Sequence, residues 1–140
     1  MRKNKIRIDK VQEAFNSAIK RRDGRCMIRD YEPCSGQLEC SHFCSVGSSP
    51  ALRFYPPNAW TQCSKHHWKH HNSPEWAKAW NKFSFYEKWM DEKHWAECAD
   101  MYYMRNQYIK YTDELKAEII RLCNADKLDE LTKLIEKELR

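Results

Sequence analysis

CSHFCSVGSSPALRFYPPNAWTQCSKHHWKHHNSP, residues 40–74, gathers five of the six histidines and three of the seven cysteines of a 140-residue chain. A quarter of the chain thus carries most of its metal-binding chemistry. Within the window the run SKHHWKHHN contains neither Gly nor Pro, which predicts a helix. His67 and His71 then stand four apart on one face, the spacing by which a helix offers two nitrogens to one divalent metal. Upstream, residues 37–43 read as a first strand carrying His42, residues 47–50 as a loop, and residues 52–55 as a short second strand. Asn58 follows the turn signal Pro56-Pro57 and leads through Trp60 to the histidine helix. The expected fold class is α+β and mostly α, with this hairpin and helix at its centre.

Ahead of the window, residues 1–8 form a basic arm and Asp9 is placed to cap a helix over residues 10–22. Its apolar stripe is Val11, Ala14, Phe15, Ala18 and Ile19, its last turn holds Lys20, Arg21 and Arg22, and Asp23-Gly24 ends it. Residues 1–25 contain nine Lys or Arg against three Asp or Glu, although the whole chain carries only +5, so the positive charge is local. A basic segment beside a metal cluster suggests a polyanionic partner, most simply nucleic acid, while the same charges also complement a helix dipole or form a solvated face.

Seven cysteines, an odd number with close spacings at 26, 34, 40, 44 and 63, favour metal ligation over a disulfide framework. Cys26, Cys34, Cys63 and His66 are the natural set for a structural Zn²⁺, pinning the N-terminal segment to the hairpin. The seven residues between Cys26 and Cys34 exceed the usual zinc-knuckle spacing, which leaves open that Cys40 or Cys44 replaces one of them. Cys98 and Cys123 fall in helical patterns and read as small buried side chains.

Beyond the window Ser73-Pro74-Glu75 is a helix start, with Trp76, Ala79, Trp80 and Phe83 on its apolar face, and Ser84 opens a further helix through Trp89, Trp95 and Met101. Thr112 caps a helix striped by Leu115, Ile119 and Leu122. A break at Asn124-Ala125-Asp126 reconciles that stripe with the next, Leu128, Leu131, Ile135 and Leu139. The chain length allows one modest core with appendages: a basic arm over residues 1–8, a core over 9–83 and a helical extension over 84–140 ending in a helix pair. No apolar run approaches the ~20 residues of a membrane span, so a soluble, cytoplasmic protein with no membrane partner is expected.

The motifs KRRDGRC, LECSHF, ALRFYPPN, QCSKHH and NSPEW resemble those of phage-type HNH (ββα-metal) endonucleases, most of all the NinG recombination proteins, over about residues 9–80. The resemblance implies a metal-dependent DNA endonuclease leaving 5′-phosphate and 3′-hydroxyl ends, acting in phage DNA recombination on branched or nicked DNA in the host cytoplasm. By the same likeness His42 is the general base, Asn58 ties the loop that presents it, and His67 with His71 holds a catalytic Mg²⁺ or Mn²⁺. Arg53 is matched to a phosphate contact, joined in DNA binding by Lys65, Lys69, Arg21, Arg22 and Arg25, and His70 is expected to face solvent or DNA. Position 66 is usually Cys in the family, so His66 is a conservative departure for zinc.

Another departure concerns Ser41, which stands where many such enzymes carry an Asp or His as third metal ligand. It predicts weak catalytic-metal binding in the absence of DNA, and supports the alternative of a zinc-stabilised DNA-binding or adaptor module without turnover. A general nicking or packaging-associated nuclease is the other alternative. The Leu-rich tail is a candidate for homodimerisation or for docking a recombination protein.

Overall fold

The computed structural model describes residues 5–30, 32–72 and 100–140. It is an α+β protein, mostly helical, with one two-stranded antiparallel sheet. Helix α1 (Ile8–Asp23) buries Val11, Phe15, Ala18 and Ile19, the expected stripe less the half-covered Ala14. Each such large apolar side chain stabilises the fold by roughly 1.5–3 kcal/mol when fully covered. Asp9 is not the cap: the helix begins earlier, Arg7 holds the cap position without a side-chain bond, and Asp9 lies in the first turn, 2.7 Å from Arg7. The carboxylate still complements the dipole there. Gly24 ends the helix at φ 68°, its amide donating to the Lys20 carbonyl, a left-handed cap that glycine adopts without a Cβ penalty.

Strand β1 (Leu38–His42) pairs with β2 (Ala59–Cys63), with Leu38 opposite Cys63 and His42 opposite Ala59. The second strand therefore lies later than the sequence suggests. Residues 50–52 form a short 3-10 turn, and Leu52, Phe54 and Tyr55 are buried without joining the sheet. Pro56 and Pro57 lack the amide donors a ladder needs, so they occupy a second 3-10 turn and pairing starts only after Asn58.

All five residues of β2 are buried. Its edge away from β1 is covered by the end of α1 and the segment after it. Asp23 accepts from the Thr61 amide at 2.8 Å, Arg22 donates to the Ala59 and Pro56 carbonyls, and the Met27 amide donates to the Thr61 carbonyl. Exposed strand edges invite pairing with other chains, and these side chains close this one.

Helix α2 (Ser64–Asn72) starts directly at the end of β2, as the histidine run predicts. Helices α3 (Asp113–Asn124) and α4 (Leu128–Glu138) follow, and their buried residues join those of α1 and the sheet in one core. Thr112 caps α3 by accepting from the Leu115 amide, and the chain breaks at residues 125–127, as expected, with Asp126 at φ 55°. Cys123 is buried, and so is Met101, in the helical residues 100–104. The expectations for Ser73-Pro74-Glu75, the tryptophan-bearing helices and Cys98 lie outside the described residues. Among the described residues no helix is long and apolar enough to cross a membrane.

Candidate metal centres

Cys26, Cys34, Cys63 and His66 come together with their ligand atoms all within 4.8 Å of one another. Cys63 Sγ lies 3.1 Å, Cys26 Sγ 3.4 Å and Cys34 Sγ 3.9 Å from His66 Nδ1. Three thiols and an imidazole converging at this range are a donor set for a metal ion such as zinc. Cys40 and Cys44 are not part of it. Burial pushes their thiols up to about 12 and about 11 respectively, and the Cys44 thiol faces the Met101 carbonyl.

Local structure explains the convergence. Cys63 is the last residue of β2 and His66 is in the first turn of α2, so both point to one side of the strand-helix junction. Cys34 arrives on a loop clamped to that junction: the Ser64 amide donates to the Gln37 carbonyl, the Lys65 amide to Ser35, and the Gln37 amide to Ser64 Oγ. Gly36, at φ 89°, permits this approach, because a Cβ there would stand 2.7 Å from the Ser64 Cβ.

Electrostatics favour a thiolate in the cluster. Burial raises the Cys63 thiol, but the amides of His66 and Ser35 and the Cys34 and Cys26 thiols outweigh it, and the net shift is downward. Cys34 is pushed up to about 12, by desolvation first and then by its cysteine neighbours. The cluster thus favours Cys63 as an anion and disfavours Cys34; a metal cation is the charge that would allow Cys34 to ionise. Glu32 Oε2, 3.5 Å from His66 Nε2, favours a proton on that nitrogen and directs Nδ1 to the sulfurs.

His67 and His71 face the other way. Their Nε2 atoms lie 3.1 Å apart on the outer side of α2, and His67 Nδ1 lies 2.9 Å from Glu39 Oε1 on β1. A carboxylate accepts, so the contact favours a proton on His67 Nδ1, and Nε2 is turned to His71. Burial, and then His67, hold His71 below the usual histidine range. Among the described residues no third His, Cys, Asp or Glu completes a compact group with this pair.

His42 ends β1, packed against Phe15 with ring centroids 5.9 Å apart. Its Nε2 lies 2.9 Å from the Arg53 carbonyl, which can only accept; the proton therefore sits on Nε2 and Nδ1 is the acceptor. Desolvation chiefly, and the charges of Arg53, His67 and His71, lower its pKa and keep the ring neutral near pH 7. Asn58, fully buried, fixes the loop that supplies this carbonyl. Its Oδ1 accepts from the Cys44 amide at 2.7 Å, and its Nδ2 donates to the carbonyls of Cys44 and Leu52 at 3.1 and 3.0 Å.

His70 does not face solvent or DNA. It is buried and bonded through Nδ1 to Ser41 Oγ at 2.8 Å, with its pKa lowered to about 3 by desolvation and then by the neighbouring histidines. The reason is helical: His66 and His70 are four apart, so a buried His66 takes His70 with it. Arg53 is not on a strand; its Nε donates to Gln12 Oε1 and its guanidinium lies 5.0 Å from the Phe54 ring. Lys65 and Lys69 pair with Glu32 beside the cysteines. Arg21 holds Asp126 and the Cys123 carbonyl, Arg22 covers the sheet edge, and Arg25 lies 3.7 Å from Asp30.

Glu39, Glu32 and the Ser41–His70 bond carry roles that sequence reasoning missed. Glu39 and Ser41 alternate along β1, so a strand reading that asked which face meets α2 would have found both. Glu32 lies in a loop and had no such signal. No protein-family model matches the chain, and neither a curated protein nor a solved structure matches it.

Proposed function

We propose that the chain is a metal-dependent DNA endonuclease of the HNH type, with His42 as general base. The observation that supports this best is the pairing of two prepared groups: a neutral His42 whose Nε2 proton is committed to the Arg53 carbonyl, and an outward His67/His71 pair whose Nε2 atoms face each other. His42 Nδ1 would take the proton of the attacking water, and Arg53, through its carbonyl, sets which nitrogen does so. Asn58 keeps that carbonyl in place through Leu52 and Cys44. Mg²⁺ or Mn²⁺ held by His67 and His71 would supply charge stabilisation for the phosphodiester transition state and the departing oxygen. The Cys26, Cys34, Cys63 and His66 group would hold a structural Zn²⁺ that shapes the junction.

The likeness in motif extends the proposal to 5′-phosphate and 3′-hydroxyl products, and to branched or nicked DNA in phage recombination. A second reading, a zinc-stabilised DNA-binding adaptor, has one observation in its favour: the Ser41 hydroxyl is bonded to His70 and offers no third ligand. The two separate in one assay. Zinc-loaded protein is incubated with supercoiled plasmid or a four-way junction, with and without added Mg²⁺ or Mn²⁺, alongside His42→Ala. Metal-dependent cutting that the substitution reduces by 100-fold or more, about the contribution of a general base, supports the nuclease. DNA binding without cutting under any metal supports the adaptor.

A further inference from the structure

Three tyrosines are exposed on the segment that packs beside the end of β1, and the rings of Tyr102 and Tyr103 lie 6.2 Å apart. Tyr103 is 83% exposed, Tyr108 63% and Tyr102 42%. The Arg105 guanidinium lies over the Tyr102 ring, 3.8 Å from its centroid, and donates to the Tyr102 carbonyl. Residues 101–112 contain Arg105 and Lys110 and no Asp or Glu. Exposed tyrosines at 103 and 108, in a stretch whose only charged side chains are cations, suit a polyanion that also presents flat apolar rings.

The segment is held in place next to the site. Cys44, two residues beyond His42, has its thiol against the Met101 carbonyl and feels the charge of Arg105. Tyr111 donates from its hydroxyl to the Pro50 carbonyl and packs edge-on against Phe54, in the stretch that carries Arg53. The backbone of Tyr108 makes two bonds with Arg140, amide to carbonyl in each direction. A platform fixed at these points presents its rings without the ordering cost of a mobile loop.

We infer that Tyr103 and Tyr108, with the nearby Arg105, form a stacking surface for unpaired nucleotides of a DNA strand leaving the duplex beside His42. The inference rests on the proposed nuclease reading for its location, and it names the substrate class: duplex DNA with a single-stranded arm. Bases of any sequence stack on tyrosine, so the platform reads strand separation and not sequence.

The test is fluorescence anisotropy with zinc-loaded protein at fixed salt, without added Mg²⁺ or Mn²⁺, comparing a labelled duplex with the same duplex carrying an oligo-dT arm. The arm is expected to tighten binding about tenfold, the size of one good base-aromatic stack. Tyr103→Ala with Tyr108→Ala removes that advantage while leaving duplex binding and the melting temperature unchanged. Replacing both by Phe keeps it. An arm that confers no advantage, or an Ala pair that binds the armed DNA as tightly as wild type, overturns the inference. So does an Ala pair that only converts a dimer to a monomer in sedimentation, which would assign the patch to a second copy. If no DNA is cut under any metal but the arm advantage is present and lost in the Ala pair, the platform stands and the nuclease reading falls.

Discussion

His66 and His67 are neighbours in sequence and turn to different groups. His66 is fully buried, its Nδ1 turned to three thiols; His67 is partly exposed, its Nε2 turned to His71 and to solvent. Each has a carboxylate near its other nitrogen, Glu32 for the first and Glu39 for the second. The helix explains the split: at ~100° per residue, His66 and His70 form one face and His67 and His71 the next. The comparison teaches what donor count and burial do. Four converging donors, three of them buried and Cys34 exposed, can fill a tetrahedral coordination sphere, whereas two donors at the surface leave positions for water or phosphate. One short helix thus turns two histidine pairs to different surroundings.

The largest test of that contrast is metal removal. In small zinc-dependent domains metal binding is coupled to folding by on the order of 10 kcal/mol, so stripping the metal with a strong chelator should abolish the cooperative thermal transition, and Cys63→Ser should do nearly the same. His67→Ala should leave the transition in place. Equal sensitivity of the two sites in circular dichroism melts would erase the distinction between them.

A smaller effect is expected from Asn58, which fixes the loop around His42. Asn58→Ala strands two buried carbonyls and one buried amide, and at about 1–3 kcal/mol for each unsatisfied group, partly relieved by water, a loss of about 3 kcal/mol is expected in urea unfolding. Zinc content should stay unchanged. An unfolding midpoint equal to wild type would mean that the loop around His42 is held by other contacts.

The smallest effect is on pH dependence. Because the His42 pKa is lowered from 6.5, the neutral base is present at and above that value and is lost only as pH falls through a lower one. Metal-dependent cutting should therefore stay level from neutral pH down to about 6.5 and break below it. A break above 6.5 would place a different group in control of the rate.

Much of this architecture was legible in the chain. The stripe of α1, the cap at Thr112, the break before Leu128 and the histidine helix all follow from periodicity and end signals, which are local. So was the cysteine-histidine group, because ligand chemistry leaves few residue types to choose from. What failed was set by tertiary packing. A buried apolar run at residues 52–55 looks alike whether it pairs in a sheet or fills a core, and only the two prolines after it hinted at the second. The protein partners of Arg21, Arg22, Lys65 and Lys69, which charge alone marks only as candidates for DNA contact, are also set by packing that no local pattern encodes. The burial of His70 was readable in principle, since it follows from His66 by helical spacing alone.

The central claim, that α2 carries one closed and one open metal site, is tested most directly by titrating Co²⁺ into metal-free protein and following its absorption. The account predicts that the first equivalent produces intense thiolate-to-cobalt charge transfer, lost in Cys63→Ser. Further cobalt should bind weakly, without new thiolate bands and with ready displacement by Mg²⁺ or Mn²⁺, and this second phase should vanish in His67→Ala/His71→Ala. A single phase, or a second phase that survives the loss of both histidines, would contradict it.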